Sequence, residues 1–179
     1  MAQEGDATGE RRESRGRELA LACLCHVEGF AASERPAALG LLLAEPPRGD
    51  AAGEDHFAAL THDAAVRAFA VDLVELVLSA WPEIDAAIAD TSKRWRLERM
   101  DRVDRNAIRI VTAELLHRPH TPRAVILSEA VRLAARYGGD RSPTFVNGVA
   151  RALADALRPA VEAPSPPSPP SPPSPEEPP

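Results

Sequence analysis

The sequence predicts an all-α fold of about seven helices packed in bundles, and three observations lead there. Hydrophobic residues make up 44% of the 179-residue chain but aromatics only 4%, so Ala, Leu, Val and Ile must build the core. Ala and Leu lose little freedom in a helix, whereas strands favour β-branched and aromatic residues. Apolar residues recur at three-to-four spacing in one stretch after another, and no alternating run of strand length occurs.

The first helix is expected from about Ser14 to Glu28, with Ala20, Cys23, Leu24 and Val27 on one side. A short helix follows over Pro36–Ala44. Pro46, Pro47, Gly49 and Gly53 make the stretch 45–55 a loop. The third helix reads as continuous from His56 to Ala80. Apolar residues lie on several sides of its second half, so it is expected to be centrally buried. Trp81-Pro82 breaks it, and a short fourth helix carries Ile84 and Ile88.

The fifth helix starts near Asp101, which is placed to cap it, with Asp104 adding negative charge to the first turn. Met100, Val103, Ala107, Ile110, Val111 and Leu115 form its apolar stripe, and it ends before Pro119. Thr121-Pro122 starts the sixth, and Gly138 is expected as a left-handed stop. Ser142-Pro143 repeats the start signal for the seventh, which Pro159 ends. Residues 1–10 read as a disordered lead, 11–158 as one helical domain, and 159–179 as a disordered Pro/Ser-rich, polyproline-like tail.

Charge is unevenly spread. The formal net charge is −6, but residues 36–92 carry −8 and residues 93–158 carry +7. Local potential, not net charge, decides what binds where. No apolar stretch is long enough to span a membrane, and the N-terminus lacks the apolar core of a secretory signal, so a cytoplasmic protein is expected. Cys23 and Cys25 point in different directions on a helix and read as free thiols.

Two basic clusters stand out. Arg11, Arg12, Arg15 and Arg17 sit where a helix starts, the end at which cations are unfavourable. They read either as a polyanion contact or as a solvated leader offset by Glu10, Glu13 and Glu18. Lys93, Arg94, Arg96, Arg99, Arg102, Arg105 and Arg109 surround Trp95, a mixture suited to single-stranded RNA. The competing reading is a charge-laced solvent face, with Asp101–Arg105 and Glu98–Arg102 paired along the helix. Asn147 and Gly148 disfavour a helix interior, and Gly148 is expected to permit close packing. The lone Glu114/His117 pair lacks the second copy that a carboxylate-bridged metal bundle needs, and no phosphate loop or nucleophile elbow is found; neither a cofactor nor catalysis is expected.

Several motifs, in order, resemble the NusB family. Arg15-Gly-Arg-Glu-Leu-Ala-Leu21 is similar to its R-x-R-E-x-A opening. Arg102 to Leu115, Ser128 to Gly138 and Phe145-Val-Asn-Gly148 are similar to its later helices and F-V-N-G signature. The resemblance covers about 14–158, with 30–92 alike only in helical pattern. It implies two small packed helical bundles and a non-enzymatic transcription antitermination factor. Its implied partners are boxA-type RNA of ribosomal RNA leaders, the small-subunit ribosomal protein that doubles as NusE, and the RNA polymerase antitermination complex. Arg12 supplements the family's basic run, Arg15 and Arg17 contact phosphates, Arg109 and Phe145 lie on or near the RNA surface, and Asp104 lies towards the protein partner. Arg141 stands where the family usually has an acid, which strengthens RNA binding; Cys25 replaces a common aromatic. The alternative is a divergent adaptor or homodimer that has lost RNA binding.

Overall fold

The computed structural model describes residues 2–45, 56–91 and 96–159, with side chains from Gly9 onward. The described residues form eight α-helices: α1 (Ala2–Val27), α2 (Arg35–Ala44), α3 (His56–His62), α4 (Ala64–Ser79), α5 (Trp81–Thr91), α6 (Arg102–His117), α7 (Arg123–Tyr137) and α8 (Ser142–Leu157). A single 3-10 turn, Leu97–Arg99, precedes α6. The all-α expectation holds, and no strand occurs among the described residues. The expected loop over 46–55, Trp95 with Lys93 and Arg94, and the tail from 160 onward lie outside the described residues.

The helices form two groups. In the first, α1 packs along α4, with α2 and α3 at its sides. In the second, α6, α7 and α8 pack on one another, and α5 leans on α6 and α8. Helix α6 also touches α1 and α4, joining the two groups. α1 begins at Ala2, ahead of the expected start at Ser14, so residues 2–10 continue its axis.

The expected third helix is two helices. Asp63 breaks it by accepting hydrogen bonds from the N–H groups of Ala65 and Val66, both 3.2 Å, which caps α4. No Gly or Pro marks the break. Nor is this segment the centre of the fold. α4 buries one face, through Val66, Ala70, Leu73, Val74 and Val77. α6 is the central helix: every residue from Asn106 to Leu115 is buried. Its buried charges hid that in the sequence, because they look like a solvent face until their partners are known.

The cap signals also differ in detail. Asp101 and Pro122 occupy the N-cap positions of α6 and α7 without side-chain capping bonds, and Arg141 takes that position in α8. Gly138 is not left-handed: its φ is −89° and ψ −177°. It is needed for space, since a Cβ there would lie 2.5 Å from both Cβ and Oγ of Ser142. Gly148 is the reverse case. It is exposed, and a Cβ there would meet nothing within 4 Å, so it serves no close packing.

Candidate nucleic-acid interface

The close approach at Gly138 sets Ser142 over the first turn of α6. Its hydroxyl accepts from the Gly139 N–H at 3.0 Å and donates to Asp104 Oδ2 at 3.0 Å. Asp104 is 5% exposed, and its other oxygen, Oδ1, is buried with no hydrogen-bond partner among the described residues. Burial, together with the nearby Asp101 charge, raises its pKa above the ordinary aspartate value; the Ser142 hydroxyl opposes this only in part.

Asp104 lines a cleft of about 890 Å³ between the 3-10 turn, the start of α6 and the α7–α8 loop. Met100 and Phe145 give it apolar wall, and Arg96, Arg99 and Arg141, all exposed, give it cationic groups. Arg105 fixes one wall by donating to the carbonyls of Leu97 (3.1 Å) and Met100 (2.9 Å). A second groove, of about 400 Å³, is lined by Leu21, Cys25, Phe57, Leu60, Val103 and Tyr137 with Glu18 and His56. Val103 adjoins Asp104 in the chain, and Glu18 lies one turn beyond Arg15 on α1.

Glu18 organises the polar edge of that groove. It accepts from the Tyr137 hydroxyl, lies 2.9 Å from His56 Nε2 and 2.8 Å from Arg136 Nε. Burial works against its charge, but hydrogen bonds from Tyr137 and His56 outweigh it and hold the carboxyl below the usual glutamate range. The same contact and its own burial push the Tyr137 phenol up to about 12.

The expected site residues divide. Arg12 is exposed on α1. Arg15 is part-exposed and reaches Asp63 at 3.0 Å. Arg141 is exposed and Phe145 half-buried at the cleft. Arg17, expected to contact phosphates, and Arg109, expected on or near the RNA surface, do not belong with them: both are buried in ion pairs. Arg17 is 1% exposed and grips Glu114 through Nε and Nη2. Arg109 is 5% exposed, with Asp85 on two of its nitrogens and Glu28 on the third. Its guanidinium also lies 4.1 Å from the Trp81 ring centroid, with Arg35 4.0 Å from the same centroid. Asp104, expected towards a protein partner, lies under Ser142 at the cleft and not on an open face.

The residue missed from the sequence is Glu28. Arg102, Arg105 and Arg109, read as a solvent face or an RNA face, all converge on it, at 3.0, 2.8 and 3.1 Å. The signal was there in outline: three arginines on one side of a helix, and one acid after the apolar run of α1. Arg96 and Arg99, singled out within the basic run, do reach the cleft.

Residues 14–155 match the family model described as "NusB family". The chain belongs to the NusB family. This NusB-family chain is 44% identical over 144 residues to the transcription antitermination protein NusB of Sorangium cellulosum, covering 80% of this chain and 92% of that relative. It is 40% identical over 142 residues to the protein of that name from Geobacter sulfurreducens, covering 79% and 93%. Among solved structures it resembles T. maritima NusB, with a TM-score of 0.63 at 25% identity over 80% of this chain and 90% of that one. This member of the NusB family is all-helical among the described residues. No helix among the described residues is long and apolar enough to cross a membrane.

Proposed function

We propose that this NusB-family chain binds boxA-type single-stranded RNA of ribosomal RNA operons, together with a NusE-type ribosomal protein, in an antitermination complex on RNA polymerase, and that it does so without catalysing a reaction. One observation carries the reading. Exposed Arg12 and part-exposed Arg15 in the first half of α1, and exposed Arg96, Arg99 and Arg141 at the cleft, accompany a groove lined with Phe57 and Tyr137, whose Val103 adjoins Asp104 in the chain. Guanidiniums hold phosphates, and apolar and aromatic surface between them accepts unstacked bases. This uses fewer arginines than the sequence implied, because Arg17 and Arg109 are occupied inside the fold.

The test is fluorescence anisotropy of the full chain with boxA-type RNA, with and without the NusE-type protein. About four phosphate contacts give a loss of order 50-fold in affinity between 50 and 200 mM salt, from the single-strand slope. A flat salt response defeats the reading.

A second reading, a protein adaptor or homodimer without RNA binding, is favoured by one feature. Leu41 on α2 is 69% exposed and Phe30, just before that helix, 40%. Light scattering and partner capture in the absence of RNA separate the two.

A further inference from the structure

We propose that the cleft beside Asp104 is a nucleobase pocket that selects a base carrying an exocyclic amino group, with Asp104 Oδ1 as the acceptor. The inference rests on the RNA-binding reading and deepens it: the arginines supply affinity, and this carboxylate supplies selection.

The starting point is the orphan oxygen. Leaving a buried acceptor unsatisfied is costly, and Asp104 could have met its needs through Ser142 alone only if both oxygens were served. Ser142 serves Oδ2 at 3.0 Å, while Oδ1 has no partner among the described residues and its residue lines an open cleft. The cleft, at about 890 Å³, has the size of a small-molecule site. What Oδ1 lacks is an N–H donor.

Charge chooses the donor. Arg96, Arg99 and Arg141 also line the cleft. A metal ion or a cationic side chain from a protein would have to pass these guanidiniums. A nucleotide brings a neutral N–H donor on its base and an anionic phosphate for the arginines. Met100 and Phe145 offer apolar wall to the body of the base. Adenine, cytosine and guanine each carry an amino group that donates to a carboxylate. Uracil has no amino group: its single donor, N3–H, is flanked by two carbonyls that a carboxylate repels, so it binds less well. Phosphate contacts position the strand, and the single base contact reads it.

The test uses four fluorescein-labelled RNA dodecamers on the full chain: all-uridine, and all-uridine with one internal guanosine, adenosine or cytidine. The amino-bearing dodecamers are expected to bind about fivefold to tenfold tighter than all-uridine. Asp104→Asn erases or reverses that preference: its amide oxygen takes the Ser142 hydroxyl and its amide N–H₂ turns to the cleft, where it suits a carbonyl. Affinity for all-uridine rises in Asp104→Asn, because the repelling carboxylate is replaced by an N–H donor, and Ser142→Ala, which keeps the carboxylate, keeps the preference. Equal binding of all four dodecamers to the unaltered protein overturns the proposal without recourse to any variant. Preference surviving in a folded Asp104→Asn protein overturns it too. So does loss of NusE-type protein capture in that variant with base preference intact, which would give the carboxylate to a protein. If no dodecamer binds at any salt concentration, the RNA reading itself has failed; salt-dependent binding without preference sinks only the pocket.

Discussion

Arg17 on α1 and Glu114 on α6 form a two-point ion pair in the interior, with Nε 3.0 Å from Oε2 and Nη2 2.9 Å from Oε1. The side chains are 2% and 1% exposed. Burial works against the Arg17 charge, but the Glu114 carboxylate outweighs it and keeps the guanidinium protonated. Removing one partner strands a charge without water. Arg17→Ala is therefore expected to destabilise the fold by about 3–5 kcal/mol, while a matched apolar pair, Arg17→Met with Glu114→Leu, recovers most of that. Urea unfolding of the two variants checks the difference.

Exposed and buried arginines should separate cleanly by readout. Arg11→Ala with Arg12→Ala is expected to weaken RNA binding severalfold and to flatten its salt slope by about 0.7 for each phosphate no longer neutralised, with the melting temperature unchanged. Arg109→Ala lowers the melting temperature instead, since it leaves Asp85 and the buried Glu28 short of a partner. Anisotropy and thermal unfolding on the same preparations decide it.

Glu28 sets the acid limit. Burial pushes its pKa up, but the hydrogen bond from Arg105 and the charges of Arg105 and Arg109 more than reverse this, so the folded value is depressed. A depressed carboxyl contributes stability above its unfolded pKa, about 4.3, and loses it as pH falls through the folded value. Glu18 is depressed as well and acts in the same window. Unfolding free energy is expected to be level near neutrality and to fall below about pH 4.3. Glu28→Gln lowers the neutral plateau and flattens that acid slope, measured by urea titration at a series of pH values.

Two glycines give opposite results with alanine. At Gly16 an added Cβ would sit 2.4 Å from Phe69 Cδ1, and that ring lies beside the Arg17 and Arg118 guanidiniums at 5.2 and 4.7 Å. Gly16→Ala costs about 1–3 kcal/mol by overpacking. At Gly148 the space is open, so Gly148→Ala stabilises by about 1 kcal/mol through helix propensity. Melting temperatures move in opposite directions.

The thiols are expected to be sluggish. Burial pushes Cys23 up to about 12 and Cys25 up to about 11, so little thiolate exists at pH 8. Reaction with a disulfide reagent is slow in the native protein and fast in denaturant; rapid native labelling of Cys25 contradicts this.

Most helices were legible because apolar spacing and Pro or Gly punctuation act locally. The split at Asp63 was not, because an acid inside a periodic run gives no sign that it caps the residues after it. The central role of α6 was hidden for a related reason. Arg17 meets Glu114 across 97 positions and Arg109 meets Glu28 across 81, and sequence spacing reveals the charge without the partner. In the candidate site, Arg141 and Phe145 were legible through the motif that contains them. The Ser142–Asp104 contact depends on two loop ends meeting, which only the fold decides.

The convergence of guanidiniums on Glu28 and Glu18 has a kinetic consequence. Much of the positive charge is quenched inside the body, so the far field follows the formal excess of acid, −6. Screened fields fade within about 8 Å at physiological salt. On the proposed RNA-binding reading, a strand drifting in from bulk is not steered and meets attraction only at touching range, so dwell time rather than arrival sets occupancy.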